Sequence, residues 1–230
     1  MKPLLRAGLV AAALILLCSG SALAQLDKIS NQDASAGLKA ALEKGSVAAV
    51  AALGKTDGFF GNGAVKIPLP DSLKRYEKLM RGVGMGKYAD ELILTMNRAA
   101  EAAVPEAKVL LVDAVKKMTV QDAKGLLTSG NTAATEYFKR VTSEPLRAKF
   151  LPIVQQATKK VQLAEKYNEY AGKGAKFGLV KKEDANLDSY VTQRALDGLF
   201  YMVAEEEKKI RENPVKAGSD ILRKVFGALK

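Results

Sequence analysis

Apolar residues recur along most of this chain at intervals of three and four, the spacing that gathers them on one face of an α-helix. The stretch YADELILTMNRAAEAA shows it most cleanly. Ala89, Leu92, Ile93, Met96, Ala100 and Ala103 share a face there, with Asp90, Arg98 and Glu101 placed away from it. Boundary signals divide the rest. Ser30 and Asp33 form an S-x-x-D start for the alanine-rich run ASAGLKAALEKGSVAAVAALG, which Gly54 stops. Pro70-Asp71-Ser72 opens a helix through LKRYEKLMRGV, ended by Gly84 and Gly86. Pro105 suits the first turn of PEAKVLLVDAVKKM, and Thr119 with Asp122 caps VQDAKGLL. Thr128–Asn131 is a turn before TAATEYFKRV. Ser143 is expected to start a longer helix that reaches about Tyr170 and bends at Pro152. Asp188 is expected to cap a helix to about Glu212, and Pro214 to open the last one. No repeat, linker or shift of composition marks a second domain. The pattern predicts one all-α domain over 25–230, of about eight helices, with a single Gly/Pro-rich extended loop over 56–70.

That loop reads TDGFFGNGAVKIPLP. Gly58, Gly61 and Gly63 suggest a phosphate cradle, which needs glycine amides leading straight into a helix N-terminus. Here they lead into AVKIPLP, which two prolines and β-branched residues keep extended, and the Walker lysine pattern is missing. Two readings remain. As a strap, Phe59, Phe60, Val65, Ile67 and Leu69 lay apolar side chains across the helices. As a binding surface, Phe59 and Phe60 stay partly exposed and receive a partner or an apolar ligand. The strap is the commoner arrangement.

The N-terminal stretch MKPLLRAGLVAAALILLCSGSALAQ has the layout of a secretory signal. Lys2 and Arg6 make a positive region before the short apolar run Ala7–Cys18, and Ala22-Leu23-Ala24 supplies a small–x–small cleavage pattern. The run is shorter than the roughly 20 residues a bilayer span needs, so no transmembrane span is expected in the mature chain. Cleavage after Ala24 predicts a periplasmic or secreted protein. Lipid attachment at Cys18 is less favoured, because Leu17 stands where a small residue is required. Cys18 is the only cysteine and leaves with the signal, and the chain has no His and no Trp. Thiol catalysis, Ser-His-Asp triads and His/Cys zinc sites are thereby excluded from the mature protein, and no cofactor is expected. KEDANLDSY sets Asp184, Asn186 and Asp188 at the spacing of a calcium loop. Ser189 and Ala195 stand where that loop needs Gly and Glu, so no metal is expected.

Charge is concentrated. The formal net charge is +11, and Lys139–Lys182 holds eleven Lys/Arg against Glu144, Glu165 and Glu169. Lys159, Lys160, Lys173, Lys176, Lys181 and Lys182 are the candidate binding cations, the last four in AGKGAKFGLVKK, which has no acid. Such a surface suits an anionic envelope component: lipid headgroups, lipopolysaccharide or an acidic protein. Nucleic acid is not expected, for want of a recognition motif and of interleaved aromatics.

Two polar positions break the apolar pattern. In YVTQRALDGLFYMVAEEEKKI, Ala195, Leu199, Met202, Val203 and Ile210 define a buried arc into which Glu206 falls. Asn168 lies on the apolar side of its own helix. Arg98 is a possible counter-ion for Glu206, although it also pairs with Glu101 at its own surface. These positions predict a buried polar network that fixes helix register or, as the rival, a polar-lined cavity near Glu206 that takes a small ligand. General acid–base work has no second carboxylate in view, and no catalytic residue is assigned. In the last segment Ile221, Leu222, Val225, Phe226 and Leu229 share a face expected to dock on the body of the protein.

The stretches DASAGLKAALEKG, VKIPLP, MNRAAEAAVPEA, FLPIVQQAT, GKGAKFGL and ANLDSYVTQRALDGLF together resemble a bacterial family of exported proteins catalogued as domain of unknown function 4197. The resemblance implies a similar fold and an envelope location. It implies no activity and carries over no catalytic or binding residues. The reading that follows is a binding or interaction module of the envelope working through 139–182. A small-ligand carrier around Glu206, and then a carboxylate-dependent hydrolase of an envelope polymer, are its rivals.

Overall fold

The computed structural model describes residues 29–176, 185–216 and 218–228, and none of these lies in a β-strand. Among the described residues nine α-helices follow in order. They are α1 Asn31–Leu53, α2 Asp71–Gly82, α3 Gly86–Ala103, α4 Ala107–Lys117 and α5 Val120–Thr128, then α6 Ala133–Thr158, α7 Gln162–Lys176, α8 Leu187–Glu212 and α9 Asp220–Gly227. A 3-10 turn, Val104–Glu106, joins α3 to α4.

The alanine-rich run forms α1, and its small residues explain its place at the centre. It packs against α4, α5, α8 and α9. Four helices close on one only where side chains are small enough for backbones to approach, and interiors tolerate little surplus volume. A Cβ added at Gly37 would stand 2.6 Å from Val225 Cγ2 on α9. One added at Gly45 would stand 3.3 Å from Glu206 Cβ on α8. The terminal helix α9 is docked by Leu222, Val225 and Phe226, all buried, and by an ion pair from Lys224 to Asp33 of 2.7 Å. On the other side α6 lies against α3, α4 and α8, with Phe138, Leu146 and Phe150 fully buried.

Several boundaries differ from expectation. No helix begins at Ser143: α6 runs unbroken from Ala133 through Pro145 and Pro152 to Thr158, and α7 is separate. Thr142 Oγ1 and Ser143 Oγ donate back to the carbonyls of Phe138 and Lys139, one turn earlier, so both hydroxyls act inside the helix and not as caps. The cap of α8 is Asn186, whose side chain accepts from the Ser189 N–H, and not Asp188. Asp188 is buried and accepts instead from the Thr158 hydroxyl. Pro214 lies in a turn, and α9 begins at Asp220.

The 54–70 segment is a strap. Phe59, Val65, Ile67 and Leu69 are buried, and Phe60 is half-buried. Its backbone is pinned by two side chains of α3. Asn97 Oδ1 accepts from the Ile67 N–H at 2.8 Å, while its Nδ2 donates to the carbonyls of Ile67 and Ile93. Glu101 Oε1 accepts from the N–H groups of both Phe59 and Phe60, at 3.0 and 3.1 Å. Tyr190 on α8 donates to the Pro68 carbonyl at 3.0 Å. Glu101 therefore faces inward, 5% exposed, where the helical pattern had placed it outside. Isolated N–H groups of a non-helical segment need buried acceptors, and Glu101 supplies one.

Strap and helix meet most tightly at Gly198 of α8, where an added Cβ would lie 2.6 Å from Phe59 Cε1. Gly198→Ala is expected to lower stability by about 1–3 kcal/mol through overpacking. Gly125→Ala is the control: its Cβ meets nothing within 4 Å in α5, so helix propensity should raise stability slightly. Urea melts of both variants decide it; a stabilised Gly198→Ala would mean the strap does not press on α8.

Candidate functional site

Three places hold the residues that the sequence singled out. The first is the rim of the strap. Arg98 donates to Glu101 Oε2 at 2.6 Å and to Asp57 Oδ1 at 2.8 Å, and its guanidinium lies 5.8 Å from the Phe60 ring centre. Arg98 is thus committed to the strap, and Glu206 has another partner. Lys66 Nζ sits 4.0 Å from the centre of the same ring, a second cation–π contact. Beside it an open groove of about 720 Å³ runs between the strap, α2 and α3. Phe60, Leu69 and Ile93 line it together with Lys66, Lys78 and Arg81. Arg81 bridges Glu77 of its own helix and Asp90 of α3, so its charge is already met. Phe59, by contrast, is fully buried and presents nothing to a ligand.

The second place is the C-terminal half of α8. The buried carboxylate there is Glu207, 2% exposed, and not Glu206. Glu207 accepts from the N–H groups of Ala134 and Thr135 and from the Thr135 hydroxyl, at the first turn of α6. Negative charge at a helix N-terminus is favoured by the dipole. Arg211 completes the arrangement, bonding Glu207 at 2.8 Å and donating to the carbonyls of Leu126 and Leu127 at the end of α5. A buried polar network exists here, but its carboxylate is Glu207, and Glu206, Asn168 and Arg98, which the sequence suggested for such a network, take no part in it. Glu206 bonds Lys209 at 2.7 Å, its side chain 24% exposed, and borders a shallow groove with Lys44 and Lys216. The slip has a simple cause. α8 is packed between α1 and α6, which widens its buried arc and rotates its centre by one residue, to Val203 and Glu207. Asn168 stands apart from this network: its Oδ1 accepts from the Leu187 N–H at 2.7 Å and so helps start α8.

The third place is the basic stretch. Lys139, Lys149, Lys159, Lys160, Lys166 and Lys176 are exposed, and none forms an ion pair with a described residue. Arg147 is held by Gln193 and by Glu144. Of Lys173 only the backbone, within α7, is described, and Lys181 and Lys182 lie outside the described residues, as does Asp184. Elsewhere many cations are matched, including Lys74 with Asp71, Lys116 with Asp113, Arg194 with Asp197 and Arg223 with Asp220.

Sequence reasoning missed Asn97 and Glu207. The first carried a signal, since Asn97 and Glu101 lie four apart beside an apolar stripe and so share a face.

The family model described as "Protein of unknown function (DUF4197)" matches residues 28–227. No curated protein and no solved structure matches the chain.

Glu207→Ala is expected to destabilise by about 3–5 kcal/mol, because Arg211 and the α6 donors lose their buried partner. Glu206→Ala should change stability by less than about 1 kcal/mol, as for a surface pair. Equal effects in thermal melts would contradict the placement of the two carboxylates. At Asp90, the hydrogen-bonded Arg81 guanidinium holds the carboxyl below its ordinary range. A folded value below the unfolded one means that the stabilisation is present above about pH 4 and is lost as pH falls through the folded value. In an NMR titration Asp90 should protonate at lower pH than a free aspartate, and Arg81→Gln should move it upward; an unmoved Asp90 would remove the bridge.

Proposed function

We propose that this chain, which belongs to the DUF4197 family of proteins of unknown function, is a non-catalytic binding module of the bacterial envelope that docks on an anionic component through the basic stretch 139–182. One observation carries the reading. Six exposed lysines between 139 and 176 have no carboxylate partner among the described residues, and only three acids lie in the whole stretch. Unpaired exposed cations raise the local potential and attract anions, an interaction that salt weakens. The N-terminal signal pattern supports docking after export, in the periplasm or outside the cell, with cleavage after Ala24. Lipid headgroups and lipopolysaccharide phosphates offer the anionic chemistry these lysines fit, and an acidic protein would meet them in the same way. Glu206 supports neither rival, since it is tied to Lys209 at the surface.

Vesicles containing phosphatidylglycerol are the direct test. The protein should co-sediment with them at about 10 mM salt, where the Debye length is roughly 30 Å, and be released near 1 M, where it is roughly 3 Å. Lys159→Glu/Lys160→Glu should weaken retention at low salt by at least about tenfold, since each basic residue near such a surface contributes about 1 kcal/mol. Equal binding to neutral phosphatidylcholine vesicles, or no effect of the charge reversal, would overturn the reading.

A further inference from the structure

Among the described residues, large exposed apolar side chains gather at one apex. α2 and α3 form a helical hairpin whose tip exposes Leu79, Val83, Met85 and Tyr88, Leu79 by 63% and Val83 by 72%. The other large exposed apolar side chains among the described residues are scattered, as is usual for a surface. Four in ten consecutive positions at the end of a hairpin are not.

The tip is built to hold its shape. Gly84 takes φ +78, the left-handed conformation that ends α2. The Met85 N–H then reaches the Met80 carbonyl at 2.7 Å and the Gly84 N–H the Arg81 carbonyl at 3.3 Å, satisfying groups at the helix end. Below the turn, Arg81 spans the two helices through Glu77 and Asp90. The tip also stands clear of the rest of the protein. A Cβ added at Gly82 or Gly84 meets no atom within 4 Å, and the principal packing of α2 is against α3.

Its charge is one-sided. From Lys78 to Tyr88 there are three cations, Lys78, Arg81 and Lys87, and no acid. Arg81 is matched internally, whereas Lys78 is exposed without an ion partner among the described residues and Lys87 lies 5.2 Å from the Tyr88 ring centre. Apolar side chains at an apex, ringed by lysines and a tyrosine, have the chemistry of the boundary between headgroups and acyl chains. There apolar groups leave water, while ammonium and phenol groups stay at the polar level.

We propose that the apex of the α2–α3 hairpin is a membrane-surface anchor. Leu79, Val83 and Met85 enter the acyl boundary of an anionic bilayer, and Lys78, Lys87 and Tyr88 remain among the headgroups. This rests on the reading of the protein as one that docks on anionic envelope material, and it names the bilayer as that material. A few apolar side chains give only marginal membrane affinity, so a second, electrostatic signal is required. The basic stretch supplies it from an adjoining element. Ser72 Oγ at the start of α2 bonds Tyr167 OH on α7 at 2.8 Å, which ties the hairpin to the helix carrying Lys166 and Lys176.

The chain has no tryptophan, so Val83→Trp in the full-length protein installs a single reporter at the apex. With phosphatidylglycerol vesicles its emission should shift to the blue, and lipids brominated near the top of the acyl chain should quench it. Leu79→Ser/Val83→Ser, at exposed positions that leave the fold intact, should lower partitioning at moderate salt by about tenfold or more. Circular dichroism melts of this variant check that its fold is retained. Vesicle binding without a blue shift or quenching, at undiminished affinity for the serine variant, overturns the anchor and leaves electrostatic docking standing. A blue shift retained in Lys159→Glu/Lys160→Glu supports the anchor and shifts the docking charge away from 159–160. A concentration-dependent blue shift without vesicles overturns it in favour of a second copy of the chain. No binding to any vesicle overturns both.

Discussion

Two side chains of one helix, Asn97 and Glu101, decide what the rest of this protein can be. They take up N–H groups of the strap at Phe59, Phe60 and Ile67 that its own turns leave unpaired, and so allow it to lie against α3 and α8. A buried peptide group without a partner is expensive, and the strap would otherwise have to stay in water. With it pinned, Phe59 fills the space above Gly198, and Phe60 is left at the edge with Lys66 and Arg98 around its ring. The groove beside α2 is a by-product of the same pinning. Its apolar wall includes Phe60 and Leu69 from the strap, and its cations come from the strap and the hairpin.

What the helical pattern revealed and what it hid follow from a single distinction. Periodicity reports one buried face, and it was sufficient where a helix has one: α9 docks by Leu222, Val225 and Phe226. It was insufficient for helices with neighbours on two sides. α8 meets both α1 and α6, and there the arc shifted from Glu206 to Glu207. Cap chemistry was legible when cap and helix are adjacent, as in the box of Thr119 with Asp122. It misled when a hydroxyl found a carbonyl in its own helix, as Ser143 does, or when an acid found a distant partner, as Asp188 does with Thr158. The strap's side chains could be read as apolar, but the acceptors for the N–H groups of Phe59, Phe60 and Ile67 sit 30 to 42 residues away, beyond any local pattern. Charge was legible as composition. Which cations remain unmatched is a question of three-dimensional neighbours.

Those neighbours sort the surface into two kinds. Around α9, the strap and the shaft of the hairpin, Lys224, Arg98 and Arg81 are each satisfied by carboxylates, and their charge stabilises the fold locally. Along α6 and α7, Lys139, Lys149, Lys166 and Lys176 are exposed without such partners among the described residues. Matched charge holds helices together and is silent at a distance, whereas unmatched charge is felt by whatever approaches. The apolar apex of α2–α3 has the same character: it contributes little to the core and is available to something else.

The burial of α1 by α8 and α9 has a consequence for how this chain comes to be folded at all. The ion pair between Asp33 and Lys224 joins residues 191 apart, and Gly37 rests on Val225. Contacts of such sequence separation require closure of very long loops before they yield stabilisation, which slows folding. The innermost helix is among the earliest described segments of the polypeptide; α4 and α5 cover part of its apolar surface, and the rest is covered only by α8 and α9 from the far end. Closure of α8 and α9 over α1 is therefore expected to be the late, slow step by which this core is completed.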